Sequence, residues 1–177
     1  QIPEARPLHR LRVGDALICR GGKGVNRDFI RISGRGAYYH VAVFAGGREP
    51  MIVEMSEVYG GHEMPWEQWL AERDDYVDVF RPGLQRGGPH FRAEEAVAWM
   101  RGHIVNQPYG VDVIRRFARQ ASWLTCWWNR PCTDVQAPPP VSWVCSTAAA
   151  CGYQYGGGIV PVFGLWPGDV QPTELAR

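Results

Sequence analysis

Strand patterns fill the first half of this 177-residue chain, and helix patterns fill the second half. Runs rich in β-branched and aromatic residues, bounded by Gly, Pro or charged residues, predict strands over residues 13–19, 39–45, 51–55 and 76–81. The Gly46-Gly47 pair between the second and third runs indicates a hairpin turn. Elements that are segregated along the chain in this way favour an α+β fold, in which an antiparallel sheet packs against helices.

Apolar residues at three- and four-residue intervals predict amphipathic helices over residues 92–105 and 111–124. A short helix is expected over residues 65–72, with a proline in its first position. The uncharged, Ala-rich segment 142–151 predicts a helix that is buried on nearly all sides. We find no internal repeat and no domain boundary, so residues 1–177 are expected to form a single domain, which is long enough to bury a core.

Composition and charge exclude several functional classes. Apolar residues make up 45% and charged residues 21% of the chain, the balance of a folded domain rather than of a disordered segment. The formal net charge is only +1 and the arginines form no stripe with interleaved aromatics, so we expect no nucleic-acid partner. The longest uncharged stretch, residues 135–168, is interrupted by a triple proline and a triple glycine, so we expect no membrane span.

Five cysteines and a tryptophan-rich insert leave two questions open. Cys126 and Cys132 flank a short loop, and they form either a disulfide or two reduced thiols. Residues 122–140, which contain three tryptophans, fit no regular element. They either line a substrate cleft or touch a lipid or partner surface, or they form a small hydrophobic cluster that holds down a long loop. No C-x-x-C pair is present, so the cysteine spacing is not that of a zinc ribbon or finger. We expect no cofactor.

Cys145 is the candidate nucleophile. The three prolines at 138–140 cannot continue a helix and Ser142 is a good N-cap, so the predicted helix begins there and carries Cys145 in its first turn. Free backbone N–H groups and the positive end of the helix dipole favour a thiolate at such a position. The alternative is that Cys145 is a small buried hydrophobic residue, as free cysteines usually are.

His40 and Glu54 are the candidate base and its orienting carboxylate. If the hairpin turn is centred on Gly47, the two residues face each other directly across the strands. If the turn lies one residue later, they are diagonal neighbours on one face. In either register the carboxylate can hydrogen-bond one imidazole nitrogen and raise the basicity of the other. The alternative is an ordinary cross-strand His–Glu pair at the sheet margin.

Three other polar residues rank lower as functional candidates. His62, in a Gly-Gly-His-Glu turn, and His103, on a helix exposed at intervals, are expected to be solvated. Asp15 is expected to cap a turn. A metal site formed by the candidate base, carboxylate and thiol would lack the paired ligand spacing that is typical of such sites, so we expect no bound metal.

Six short motifs follow one another in a distinctive order: Gly14-Asp15, Tyr39-His40-Val41-Ala42-Val43-Phe44, Val53-Glu54, Pro108-Tyr109-Gly110, Val144-Cys145-Ser146 and Trp166-Pro167-Gly168-Asp169-Val170. This order resembles that of the permuted NlpC-like, papain-fold cysteine hydrolases, the YiiX-like group. In ordinary NlpC-type cell-wall peptidases the cysteine helix precedes the histidine strand, whereas here the histidine strand comes first. The resemblance covers nearly the whole chain and implies a circularly permuted papain-like fold, with the nucleophile helix late in the chain.

The resemblance implies a role for each matching residue. It makes Cys145 the nucleophile, His40 the general base and Glu54 the orienting group. Tyr109 matches the Pro-Tyr position of the family, where the phenol can help the backbone N–H of the cysteine to stabilise an oxyanion; alternatively, it is a helix-end aromatic that packs on the sheet. Val144 stands where the unpermuted enzymes have an Asp that helps to bind the substrate amine, a departure that bears on peptidoglycan specificity.

The function that the resemblance implies is that of a cysteine peptidase or amidase, which cleaves an amide bond in cell-wall peptidoglycan peptides through an acyl-enzyme. One alternative is a lipid acyl hydrolase or acyltransferase similar to the lecithin–retinol acyltransferase group, which the apolar Val144 and the tryptophans favour. Another is a virion-associated structural module. The expected partner is a peptidoglycan peptide or an acyl lipid, with or without a larger assembly. We expect a bacterial or bacteriophage protein that is secreted, periplasmic or virion-associated rather than cytoplasmic.

Overall fold

The structure, a computed structural model, describes residues 10–22, 27–28, 30–31, 36–82, 90–113, 142–162 and 170–176. The strands in this part of the chain are β1 (Ala16–Arg20), β2 (Tyr38–Gly46), β3 (Met51–Ser56), β4 (Gly60–Pro65) and β5 (Tyr76–Phe80). The helices whose bounds lie in this part are α1 (Trp66–Ala71), between β4 and β5, α2 (Ala93–His103), α3 (Cys145–Cys151) and α4 (Pro172–Leu175). A π-helical turn, Gly152–Gly156, continues α3.

The five strands form one antiparallel sheet in the order β4-β3-β2-β1-β5. β2 lies at the centre and pairs with β1 on one side and with β3 on the other. Together with the helices, this sheet confirms the predicted α+β class. The circularly permuted papain-like arrangement remains a prediction from the resemblance.

Both faces of the sheet are covered, since the side chains of β2 alternate between two hydrophobic clusters. Val41 and Val43 pack in a cluster with α2 and α3, whereas Ala42 and Phe44 pack on the opposite face with Trp69 of α1. This two-sided burial explains why β2 is apolar along most of its length instead of alternating with polar residues. It also places α3 against the strand that carries the candidate base.

The turn predicted around His62 is wrong, because this segment is the strand β4. β4 pairs with β3 in a register that sets His62 directly opposite Glu54. Two glycines hide the strand in the sequence, since glycine has a low β propensity. Packing requires one of them: a Cβ on Gly61 would lie 1.8 Å from the carbonyl oxygen of Ile104.

The first two predicted helices correspond to α1 and α2, with shifted ends. α1 begins one residue later than expected, because Pro65 is the last residue of β4 and the N-cap of the helix. Of the amphipathic helix expected after α2, only residues 111–113 are described, and they are helical. The insert at residues 122–140, with Cys126 and Cys132, lies outside the described residues. No helix in the described part of the chain is long and apolar enough to cross a membrane.

Candidate active site

Cys145 is the first residue of α3. The N-cap is Val144, in an extended conformation, so the expectation that Ser142 caps the helix is wrong by two residues. The hydroxyl of Ser142 donates to Oδ1 of Asp112 at 2.6 Å instead. The hydroxyl of Thr147 accepts the backbone N–H of Val144 at 3.0 Å, which secures the chain just before the helix. Among the described residues, no side chain caps the N–H groups of the first turn, which surround Cys145.

α3 is built from small residues and is buried along its whole length. These residues let the helix approach β2 and β3 closely, and the hydroxyl of Ser146 donates to the carbonyl oxygen of Val170 at 2.7 Å. Cys145 is 3% exposed, and its Sγ lies 4.0 Å from the carbonyl oxygen of Tyr39. The packing of α3 thus brings the thiol to the residue that precedes His40 in β2.

His40 and Glu54 are joined by a hydrogen bond of 2.6 Å between Nε2 and Oε2. The residue directly across from Glu54 in β2 is Ala42, so His40 is a diagonal neighbour, in the second of the two registers expected from the sequence. Both side chains are largely removed from water. Because Nε2 is hydrogen-bonded to the carboxylate of Glu54, Nδ1 is the imidazole nitrogen that can face the thiol of Cys145.

Burial, the carboxylate and the thiol act together on the charge of His40. Burial disfavours the imidazolium, but the negative charges of Glu54 and Cys145, with hydrogen bonds to both, raise the pKa of His40 from 6.5 to about 9. Burial likewise disfavours the carboxylate. The charge of His40 and its hydrogen bond, helped by Arg73 and Trp69, nevertheless lower the pKa of Glu54 from 4.5 to about 2. At neutral pH the pair is therefore an imidazolium and a carboxylate.

Tyr109 lies next to the nucleophile helix. It forms a parallel β-bridge with Trp143, two residues before Cys145, and its half-buried ring packs with Val144. Burial raises the pKa of Tyr109 well above its ordinary value, and the negative charges of Cys145 and Glu57 raise it further. The phenol therefore stays protonated and keeps a hydrogen-bond donor within electrostatic reach of the thiol.

Glu54 has three polar neighbours, of which Trp69 and Arg73 are absent from the candidates that the sequence supplies. Trp69 donates from Nε1 to Oε2 at 2.7 Å, Arg73 donates from Nη2 to Oε2 at 3.3 Å, and Nε2 of His62 lies 3.4 Å from Oε1. The expectation that His62 is solvated is wrong, because β4 places it directly opposite Glu54. Trp69 and Arg73 could have been found in the sequence from their four-residue spacing, which sets both on one side of the chain as α1 ends.

His103 and Asp15 are placed as the sequence predicts. His103 is exposed, with Nδ1 lying 2.8 Å from the carbonyl oxygen of Trp99. Asp15 is buried in a turn, where it accepts the backbone N–H of Arg12 at 2.9 Å and pairs with Arg81. Within the described ranges, no group of three or more His, Cys, Asp or Glu side chains could hold a metal ion.

A cleft of about 190 Å³ opens beside the His40–Glu54 pair. Its lining includes Tyr59, an exposed residue of the turn between β3 and β4, and the buried Trp69. Cys145 is not among the described residues that line it. A molecule that fills this cleft would therefore approach the site from the side of the imidazole.

Comparison of the chain with models of known protein families finds no match, and comparison with curated proteins finds none either. The functional conclusion therefore rests on the described geometry: a thiol at a helix start, beside a histidine that is paired with a buried carboxylate.

Proposed function

We propose that the chain is a cysteine hydrolase that cleaves an amide bond through Cys145, His40 and Glu54. The observation that carries the proposal is the short hydrogen bond between His40 and Glu54, made within electrostatic reach of a thiol at the start of a helix. A histidine with a carboxylate on one nitrogen and a thiol near the other is the arrangement that activates a cysteine nucleophile.

The reaction begins at the thiolate of Cys145. Its sulfur attacks the amide carbonyl carbon, and the resulting oxyanion can be stabilised by the backbone N–H of Cys145 and the phenol of Tyr109. As the C–N bond breaks, His40 gives its Nδ1 proton to the leaving amine, which leaves an acyl-enzyme. Water then attacks the thioester while Nδ1 takes a proton from it, and the thiolate and the imidazolium are restored as the acid product leaves.

Glu54 orients His40 and stabilises its charge instead of moving a proton. Oε2 accepts the Nε2–H group, which leaves Nδ1 as the reacting nitrogen. Against the effect of burial, the charge of His40 lowers the pKa of Glu54 to about 2, so the carboxylate is ionised whenever the imidazole is charged. The orienting acid of a nucleophilic triad has this role.

The resemblance to the permuted NlpC-like group favours a cell-wall peptide as the substrate. Val144 departs from the amine-binding acid of the unpermuted enzymes, and it is buried in a small apolar cluster with Val113. Position 144 therefore offers no carboxylate to a substrate amine. This departure supports a second candidate function, the cleavage or transfer of an acyl group from a lipid.

Incubation of the purified chain with peptidoglycan and, separately, with acyl-lipid vesicles tests both candidates. Mass spectrometry is expected to show new amino and carboxyl ends in the peptides with the wild-type protein, and none with Cys145→Ser. Release of fatty acid from the vesicles would instead support the lipid candidate. Binding without any product would indicate a structural module, and unchanged cleavage by Cys145→Ser would contradict the proposed nucleophile.

A further inference from the structure

Three charged side chains are buried in a row beside the proposed triad. Arg73 donates from Nη2 to Oε2 of Glu54 and from Nη1 to Oδ2 of Asp75, each at 3.3 Å. The exposed fractions of the side chains are 13% for Arg73, 5% for Glu54 and 0% for Asp75. Taking charges out of water is costly and the attraction between them often only compensates, so such a row is weak evidence for a purely stabilising role.

Trp69 completes the enclosure of Glu54. Its indole Nε1 donates to Oε2 at 2.7 Å, and the guanidinium of Arg73 lies over the indole ring, 3.8 Å from the ring centre. Among the described residues, Oε2 thus receives three donors, namely Trp69, Arg73 and Nε2 of His40, while Oε1 faces His62. A carboxylate oxygen held by three donors has little freedom to turn away from the imidazole.

The row does not satisfy its own hydrogen-bonding groups. Within the described part of the chain, Nε of Arg73 and Oδ1 of Asp75 are buried and have no hydrogen-bond partner. Native proteins leave few such atoms unpaired, so each one calls for an explanation, and a functional role is one of the common ones. The two carboxylates fix the position of Arg73, because Asp75 contacts one end of its guanidinium and Glu54 contacts the other.

We propose that Arg73 and Trp69 are positioning residues that hold Oε2 of Glu54 against the imidazole. Asp75 anchors Arg73 in this position. The held carboxylate keeps Nδ1 of the imidazole turned towards Cys145. This inference deepens the proposed function and rests on it, since it takes Cys145 as the nucleophile.

Two possible roles of Arg73, a purely electrostatic one and the positioning of Glu54, predict opposite changes in the pKa of His40 when Arg73 is removed. The positive charge of Arg73 disfavours a positive charge on His40. If Arg73 acts only through its charge, removing it therefore raises the pKa of His40. If Arg73 positions Glu54, its removal frees the carboxylate to turn away, and the pKa of His40 falls. Among the described residues, the other titratable or charged groups near the row are unchanged in such a variant: Arg27, Asp74, Cys19 and His62.

The test compares Arg73→Met and Trp69→Phe with the wild-type protein. An NMR titration measures the pKa of His40, and the rate of alkylation by iodoacetamide at neutral pH measures the reactivity of Cys145. In both variants we expect the pKa of His40 to fall by about one unit, because a mobile carboxylate stabilises the imidazolium less. The imidazole stays charged at neutral pH but is no longer held facing the thiol, so the alkylation of Cys145 should slow. A rise in the pKa of His40, or no change in either measurement, would overturn the proposal.

Arg101→Met is the matched control, because Arg101 pairs with Glu63 on a partly exposed surface of the protein. It is expected to leave both measurements unchanged, and an equal shift there would contradict the proposal. Arg73→Lys covers the case in which Arg73→Met fails to fold. A lysine keeps the charge but cannot bridge two carboxylates with two parallel contacts, so the pKa of His40 should fall again. An unchanged pKa in a folded Arg73→Lys protein would contradict positioning by the guanidinium.

These measurements need no substrate, which separates this inference from the proposed function. If the wild-type protein cleaves its substrate, Arg73→Met should lower kcat with little change in KM. If the wild-type protein cleaves neither substrate, the proposed function fails. The direction of the pKa change at His40 then still decides whether Arg73 positions Glu54.

Discussion

At the scale of single residues, the charge of His40 depends on its two neighbours, a carboxylate and a thiol. Glu54→Gln removes the carboxylate charge but keeps an oxygen acceptor for Nε2. We therefore expect the pKa of His40 to fall from about 9 towards 6.5, while part of the activity survives. An NMR titration of the variant measures the pKa. A value that stays near 9 would show that Cys145 alone holds the proton on His40.

His40→Ala removes the proposed base itself. We expect turnover to be abolished while the fold is retained, because this histidine contributes little volume to the hydrophobic core. Product analysis measures the activity, and circular dichroism checks the fold. Activity that survives undiminished would point to His62 as the base, since its Nε2 lies 3.4 Å from Oε1 of Glu54.

The thiols also differ from one another in reactivity. Among the described residues, Cys19, Cys145 and Cys151 are buried free cysteines. Burial raises the pKa of Cys19 and Cys151 well above their ordinary values, so both stay protonated at neutral pH. We expect iodoacetamide to alkylate Cys145 faster than these two, as measured by mass spectrometry of the peptides. Alkylation of Cys145 only after denaturation would contradict its role as the nucleophile.

At the scale of elements, β4 is held by a close contact with the chain that follows α2. The carbonyl oxygen of Gly61 accepts a hydrogen bond from the backbone N–H of Asn106 at 2.7 Å. The backbone N–H of Gly61 donates to the carbonyl oxygen of Gln107 at 2.8 Å. A Cβ at position 61 would lie 1.8 Å from the carbonyl oxygen of Ile104. This contact fixes the strand that brings His62 to the site.

Gly61→Ala should lower the free energy of unfolding by about 2 kcal/mol, since a backbone oxygen would have to move. Gly102→Ala is the control, because among the described residues nothing beyond the local helix backbone lies within 4 Å of a Cβ there. Alanine favours the helix, so the control should gain up to about 1 kcal/mol. Thermal unfolding measures both. Equal stability of Gly61→Ala and wild type would show that β4 and the end of α2 pack less closely than described.

At the scale of the whole molecule, the His40–Glu54 pair links folding to pH. Against the effect of burial, Glu54 and Cys145 raise the pKa of His40 from 6.5 to about 9 on folding. The resulting stabilisation is fully present below pH 6.5 and is lost as the pH rises through 9. At about 1.4 kcal/mol per pKa unit, this shift corresponds to about 3 kcal/mol.

Urea unfolding of the wild-type protein and of His40→Gln over a pH series measures this link. We expect the difference in unfolding free energy to be largest below pH 6.5 and to shrink by about 3 kcal/mol by pH 9. Taking the difference largely cancels other titrating groups, such as Asp75, whose pKa burial raises to about 6. A difference that stays constant over this range would show that His40 has the same pKa in the folded and unfolded states.

The sequence by itself determined the features that depend on local pattern. Four strands and the helices α1 and α2 could be predicted because apolar spacing reports which face of an element is buried. The pairing of His40 with Glu54 could be predicted because a hairpin turn joins two strands of period two, which leaves only two registers. The place of Cys145 near a helix start follows from the prolines before it and the small residues after it.

Only the tertiary structure decided which of those registers holds, where α3 begins and what surrounds Glu54. Ser142 is the better N-cap by local preference, but its hydroxyl is taken by Asp112, 30 positions away in the chain. Trp69 and Arg73 reach Glu54 because α1 packs on the sheet, across separations of 15 and 19 positions. Such contacts form when the faces of distant elements meet, so the local pattern of the chain, which sets each element separately, does not contain them.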